Sequence, residues 1–346
     1  MKIIIRNCNV AELDIPLKYA TKLYNEFAIR HPNAFYLRTR QRGMQNWDGK
    51  IKYITKTGQF KIGLIPSVYK RCIELGIKPI IVDMRQPLPK VSKVVTQIGK
   101  YKLRPEQEKA VKAILSNKLG ETPFQIGVLD YTVNAGKTLI MSALYLSYKK
   151  QLKTLLITND SDWLNQARDE FKQYLPGEDI TFVQGKVLNW SNFTIGMVQS
   201  ISRNMKYYQN ELAKIDMVLI DEADQGGSKQ YQNVITRLFN TRVRIGLSGT
   251  IYMSKLAKDK VKNMNLRCFF GDVIAEFKLK DSIKKGYSTK TIVKTVEGKP
   301  WFGNWESDCM SYNEIYDDSI THNKIAWTMA LDRLKWNLNQ GRYPAL

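Results

Sequence analysis

The chain has 346 residues, 43% of them apolar, enough to fill two or three ordinary cores. Fifty-four Lys and Arg stand against 32 Asp and Glu, a formal charge of +22 that points to a polyanionic partner, of which nucleic acid is the commonest. Four scattered cysteines, two isolated histidines and no apolar run of ~18 residues speak against a disulfide framework, a zinc site and a membrane span, and a reducing cytoplasm fits.

The first 85 residues read as a small α+β domain. Ile3 to Arg6 is strand-like, and Asn7 cuts it too short for a signal peptide. Leu17, Ala20, Leu23, Tyr24 and Phe27 recur at a helical period. Residues 34–40, 50–56 and 60–64 read as strands, with turns at Asp48-Gly49 and Thr57-Gly58. Residues 66–75 read as a helix opening on Pro66, and 78–83 as a last strand. The charge gathers here: residues 1–93 hold 18 Lys and Arg against 6 Asp and Glu, more than half of the excess. Arg38, Arg40, Arg42 and Lys50 flank Trp47, a pattern suited to salt-sensitive, sequence-indifferent DNA binding. Trp47 itself suits either core packing or a nucleic-acid contact.

Residues 86–100, with Pro87 and Pro89 and a basic run, read as a linker. Arg104-Pro105-Glu106-Gln107 then opens a helix whose apolar face is Ala110, Val111, Ile114 and Leu115. From 124 to 250 strands and helices alternate. Strand runs at 126–129, 154–158, 194–198, 217–220 and 243–247 are separated by helices near 137–150, 161–174, 203–213 and 228–239. Near-continuous apolar strands with helical crossovers imply a parallel sheet covered on both faces.

Three polar motifs each follow a strand, and ligands of such sheets sit beyond the carboxyl ends of the strands. Asn134-Ala135-Gly136-Lys137-Thr138 makes a phosphate cradle: backbone N–H groups face an anion, Lys137 adds charge, and the Thr138 hydroxyl reaches a divalent metal. Asp221-Glu222-Ala223-Asp224 ends the 217–220 strand. There Asp221 would hold Mg²⁺ and Glu222 would orient or deprotonate the attacking water, the two remaining needs of ATP hydrolysis. Ser248-Gly249-Thr250 is the third. Gln107 can read an adenine edge and Arg104 can stack on the base; without a nucleotide, either is an ordinary residue of a helix start.

Beyond 251 the expected elements are a basic helical stretch to 262, a turn at Gly271 and a strand at 291–296. Residues 301–318 show no clear period, and 322–339 form an amphipathic helix on Ile325, Met329, Leu331, Leu334 and Leu338.

The order of motifs, with Thr158-Asn159-Asp160 and Val198-Gln199-Ser200 among them, resembles the superfamily 2 helicases. Asn46-Trp47-Asp48-Gly49-Lys50 followed by Gly63-Leu64-Ile65 resembles the small N-terminal domain of phage branch-migration helicases of the UvsW kind, T5-like phages included. The resemblance implies an α/β, RecA-like ATPase domain over 101–298, preceded by the basic α+β domain 1–85. It makes residues 299–346 a linker and the first helix of a second RecA-like domain, truncated here. It implies ATP and Mg²⁺ as cofactors and DNA contacts at Asn159, Trp163, Gln199 and Ser200. It also implies coupling of hydrolysis to strand movement through Asp224, Ser248, Gly249 and Thr250. Family members act on forks and four-way junctions, in the cytoplasm of the host for a phage protein. A monomer with no membrane partner is expected, as is slow hydrolysis by this chain alone, because arginine fingers of a second domain are worth ~10³–10⁵ in rate. Tyr131 and Asn134 depart from the glycines common in the cradle, and the acidic motif is DEAD without the accompanying RNA-helicase signature. Two other functions fit the same residues: a DNA-binding module that uses nucleotide only to change affinity, and the motor subunit of a restriction or chromatin-type translocase.

Overall fold

A computed structural model describes residues 1–289 and 324–339, apart from Arg42, Ser92, Lys186 and 253–256. The strand expected at 291–296 and the aperiodic stretch 301–318 lie outside the described residues. Residues 1–289 form one unit and 290–346 another. Helix α12 (Lys324–Asn339) belongs to the second, where an amphipathic helix was expected.

The N-terminal part holds six strands: β1 (Lys2–Ile5), β2 (Val10–Asp14), β3 (Ala28–Arg30), β4 (Lys50–Lys52), β5 (Gln59–Lys61) and β6 (Ile80–Asp83). Four make a sheet in the order β5-β2-β1-β6, with β1 parallel to β6, and β3 pairs with β4 apart from it. Helices α1 (Leu17–Glu26), α2 (Ala34–Arg40) and α3 (Ile65–Glu74) complete it. Strand β2 was missed, although Val10–Asp14 alternates between buried and more exposed positions as a one-faced strand should. Residues 34–40 are a helix and not the expected strand. Only Ala34 and part of Leu37, three residues apart, turn inward, and the Thr39 hydroxyl bonds back to the Phe35 carbonyl at 3.1 Å. The strand expected over 60–64 stops at Lys61, where Ile62–Leu64 winds into a 3₁₀ turn.

That turn is where the two parts of the unit meet. Helix α10 (Ala257–Phe270), longer than the stretch expected to 262, packs on it through Gly63. A Cβ on Gly63 would lie 2.1 Å from the Arg267 carbonyl oxygen, so backbone meets backbone there. One apolar core runs through both parts and contains Ile3, Ile62, Leu64, Val128, Ile220 and Phe270. The 86–100 segment is seated too: the Val95 N–H donates to Ser147 Oγ at 3.0 Å, and Gln97–Ile98 pairs with Tyr101–Lys102.

The larger sheet has eight strands: β7 (Ile126–Tyr131), β8 (Thr154–Thr158), β9 (Ile180–Gln184), β10 (Val187–Leu188), β11 (Phe193–Met197), β12 (Met217–Asp221), β13 (Val243–Ser248) and β14 (Val273–Phe277). Their order is β10-β9-β11-β8-β12-β13-β7-β14, parallel except for the edge strand β10. Strands β7, β8, β12 and β13 are buried at every residue, which is why they read as unbroken apolar runs. Flanking them are α4 (Pro105–Ser116), α5 (Lys137–Ser147), α6 (Ser161–Tyr174), α7 (Val198–Arg203), α8 (Met205–Leu212), α9 (Lys229–Ile235) and α11 (Leu279–Lys284). The architecture is RecA-like. The helix expected at 203–213 is α8, while α7 before it and the strands β9, β10 and β14 had no counterpart in the sequence-based expectation.

Candidate functional site

Strands β7, β12 and β13 lie side by side and end together, so the loops after them share the carboxyl edge of the sheet. The loop after β7 enters α5 through Gly136, whose φ of 71° is left-handed. A Cβ there would meet the Gln107 amide nitrogen at 2.4 Å, so that side chain would have to give way, and the left-handed φ itself favours glycine. Asn134, in place of a glycine, also adopts a left-handed φ of 64°, a conformation that asparagine tolerates better than most residues. Tyr131 is the last residue of β7: its ring is buried against Phe277 and its hydroxyl donates to the Glu106 carbonyl at 2.8 Å. The aromatic side chain is therefore taken up by the core, and burial pushes the Tyr131 pKa up to about 12.

Lys137 closes the gap between the loops. Its Nζ lies 3.1 Å from Asp221 Oδ1 and 3.2 Å from Glu222 Oε1. Burial works against the ammonium, but the two carboxylates outweigh it and raise the Lys137 pKa. Asp221 and Thr138 are buried, while the Glu222 side chain is exposed and its backbone takes a left-handed φ of 48°. A left-handed non-glycine residue marks local strain of the kind that collects at functional sites. The Thr138 hydroxyl and the Asp221 carboxylate are hard oxygen ligands of the sort magnesium takes, and a cation already sits between the carboxylates in the form of the Lys137 ammonium. The residues present fit that metal together with a phosphate group.

Arg104 and Gln107, at the start of α4, reach the same loop. Gln107 accepts the Arg104 N–H at 2.8 Å and donates to the Ala135 carbonyl at 2.9 Å, so its buried amide holds the loop. Arg104 donates to the Asn134 carbonyl at 3.2 Å, and its guanidinium lies 4.4 Å from the Tyr287 ring centroid. Tyr287, just past α11, was missed. Only tertiary packing brings it to Arg104, and no spacing in the chain foretells that. Two more ion pairs draw the same segment to the site: Lys285 Nζ to Glu106 at 2.8 Å, and Lys278 to the buried Asp130.

The remaining motifs join in a chain. Ser248 Oγ donates to Asp224 at 2.9 Å and accepts the Thr250 N–H at 3.1 Å. Gly249 packs against the Tyr131 carbonyl, 3.2 Å from where a Cβ would be. Asn159 donates to Gln225 at 2.6 Å, and its carbonyl accepts from Gln199 at 3.2 Å. Gln225 follows the DEAD string directly and was not singled out from sequence. Trp163 is half-buried one turn into α6, and the Ser200 hydroxyl is bonded by the Gly185 N–H at 2.9 Å. These residues and the nucleotide loop thus share one edge.

On the small domain, Arg38 and Arg40 are exposed on α2, Lys50 is exposed on β4, and Arg42 lies outside the described residues. Trp47 is half-buried, set edge-on to His31, and bonds the Lys50 carbonyl at 3.0 Å. Beside the arginines, Phe35 (80% exposed) and Tyr36 present aromatic faces that sequence reasoning missed, because a strand would have sent them to opposite sides.

Comparison with known proteins agrees with this geometry. The family described as Type III restriction enzyme, res subunit (ResIII), matches residues 100–253. The ATP-dependent DNA helicase uvsW of Enterobacteria phage T4 is 23% identical over 272 residues, 72% of this chain and 51% of that one. A protein of Acanthamoeba polyphaga mimivirus, named as an ATP-dependent RNA helicase, is 26% identical over 147 residues, 42% of this chain and 27% of that one. The chain therefore spans about half or less of the curated relatives it matches. A crystal structure of the UvsW helicase from bacteriophage T4 superposes with a TM-score of 0.63 at 21% identity, over 80% of this chain and all of that one. Residues 100–253 are thus similar to the ResIII family, and the chain has the fold of the UvsW helicase.

Proposed function

We propose that the protein is an ATP-dependent DNA helicase or translocase acting on branched DNA, forks and four-way junctions, in phage recombination, repair or replication in the host cytoplasm. The observation that carries this is Lys137 held between Asp221 and Glu222, at 3.1 and 3.2 Å, on the edge that also bears the Ser248–Asp224 bond. In this reading Lys137 leaves the carboxylates to neutralise the β- and γ-phosphates of ATP. Thr138 and Asp221 hold Mg²⁺, which supplies charge neutralisation at the phosphates when bound. Glu222 orients the water, while Gln107 and Arg104 fix the loop and the base. Asp224, Ser248, Gly249 and Thr250 pass the change to Asn159, Trp163, Gln199 and Ser200 at the DNA backbone. The small domain grips DNA through Arg38, Arg40, Arg42, Lys50 and the aromatics beside them.

Binding of a fluorescent ATP analogue, and ATP turnover with and without forked DNA, test the reading on the full chain. Both are expected to fall to background in Lys137→Ala, and unchanged nucleotide binding in that variant would remove the assignment. Replacing Arg38 and Arg40 by alanine is expected to flatten the salt dependence of DNA binding by about two log units of slope. The ResIII match favours a second reading, the motor of a restriction-type translocase. Equal affinity for linear duplex and forks would select it over the first.

A further inference from the structure

A cavity of about 510 Å³ lies between the small domain and the larger sheet, with Arg6, Cys8, Arg85, Lys214, Asp216 and Arg242 in its wall. Arg242 directly precedes β13 and Asp216 directly precedes β12, so the cavity sits at the amino edge of the sheet, opposite the nucleotide loop. Arg85 clamps Asp83 with Nε and Nη2, both at 2.8 Å. Arg242 gives one nitrogen to the same carboxylate at 3.2 Å and another to the Gln86 carbonyl. Arg244, wholly buried, bonds the Cys8 carbonyl and Asn9 Oδ1 at 2.9 and 3.0 Å. Two guanidiniums, those of Arg85 and Arg242, thus share the Asp83 carboxylate, and the third bonds neutral oxygens.

Of the other charges in the wall, all but Asp216 are paired. Arg6 is paired with Glu12 and Lys214 with Glu211. Asp216 accepts the Lys153 N–H at 3.0 Å, and burial raises its pKa. Arg85 and Arg242 have side chains 3% and 10% exposed, yet Arg85 Nη1 and Arg242 Nε find no partner among the described residues. Burial, and then the neighbouring charge of Arg85, lowers the Arg242 pKa, and burial lowers that of Arg244 to about 10. Buried donors left in this condition are costly, and a phosphate oxygen that reached them as the side chains gave way would relieve that cost. Arginine forks suit the oxygens of phosphate in particular. The volume falls within the roughly 300–1,000 Å³ of small-ligand pockets.

We propose that this cavity binds a phosphate-bearing anion between Arg85 and Arg242. It is a second anion site, separate from the nucleotide loop and independent of the helicase reading. A free phosphate compound and the phosphorylated end of a nucleic-acid strand share the chemistry that these donors recognise.

Thermal unfolding of the full chain carrying Lys137→Ala, which removes the cation of the nucleotide loop, tests the proposal. Phosphate and pyrophosphate are titrated against chloride at matched ionic strength. A saturable rise of a few degrees is expected, weakened several-fold by Arg6→Ala at the rim and abolished by Arg242→Gln. Circular dichroism of each variant reports whether it is folded. Because Arg6 is exposed, that arm stands even if Arg242→Gln does not fold. No stabilisation beyond the chloride control, or stabilisation indifferent to both substitutions, overturns the proposal. Calorimetric titration then separates the sources: pyrophosphate binding at least as tightly as a 5′-phosphorylated oligonucleotide assigns a free anion, and tighter binding of that oligonucleotide than of both pyrophosphate and its unphosphorylated counterpart assigns a strand end.

Discussion

The two edges of the larger sheet treat charge in opposite ways. At the carboxyl edge every buried carboxylate near the nucleotide loop has a cation: Asp221 has Lys137, Asp130 has Lys278, and Glu106 has Lys285. At the amino edge two arginines, Arg85 and Arg242, share Asp83, and the buried Arg244 bonds the Cys8 carbonyl. The first edge pairs its buried carboxylates and exposes Glu222, so under the proposed function Lys137 would pass from the carboxylates to a triphosphate. The second is closed, and Arg242 also fastens the small domain to the larger sheet. Like residues on one sheet thus serve exchange at one end and attachment at the other, because burial decides whether an ion pair can open.

Removing a charge at each edge sharpens this contrast. Lys137→Ala is expected to leave the fold intact and to lower DNA-stimulated ATP turnover by ~10³-fold, about 4 kcal/mol in the barrier, measured by steady-state kinetics. Asp83→Asn is expected to act on stability, costing about 3 kcal/mol, since it strands buried arginines. Burial raises the Asp83 pKa, but the Arg85 fork and Arg242 outweigh it and hold the carboxyl below its ordinary range. A depressed folded pKa contributes stability that is present above the ordinary carboxylate value of about 4 and is lost as pH falls through the folded value. Denaturant unfolding across that window should therefore show an acid limb in the wild type that is smaller in Asp83→Asn. Equal acid limbs would mean that Asp83 is not the counter-charge of the cluster.

Two weaker effects break the contrast at single contacts. Gly63→Ala puts a methyl group onto the Arg267 carbonyl and is expected to cost about 2 kcal/mol, seen as a lower midpoint in thermal unfolding. Tyr287→Ala removes the ring under Arg104 and is expected to raise the KM for ATP roughly fivefold, about 1 kcal/mol, with kcat little changed. An unaltered KM would confine Tyr287 to packing.

Much of the motor was open to sequence reasoning because its signals are local. A fully buried strand is an unbroken apolar run, and β8 and β12 were placed to within a residue on that ground. Strand β9 was not, since Thr181 and Phe182 face partly outward and dilute its pattern. In the small domain the elements are short and half-exposed, so α2 could pass for a strand. Its arginines were noticed there, but Phe35 and Tyr36 were not.

By itself the sequence determined a parallel α/β domain with a Gly-Lys-Thr loop and a DEAD string on one edge, and a basic domain ahead of it. Each of these follows from residue type, spacing and period along the chain. Only the tertiary structure decided that Gln107 spends its amide on the loop, that Tyr287 lies under Arg104, and that Arg85 and Arg242 converge on Asp83. Those contacts join residues up to 183 positions apart, from Arg104 to Tyr287. Pairing at such range depends on how the strands are ordered in the sheet, which no local pattern records.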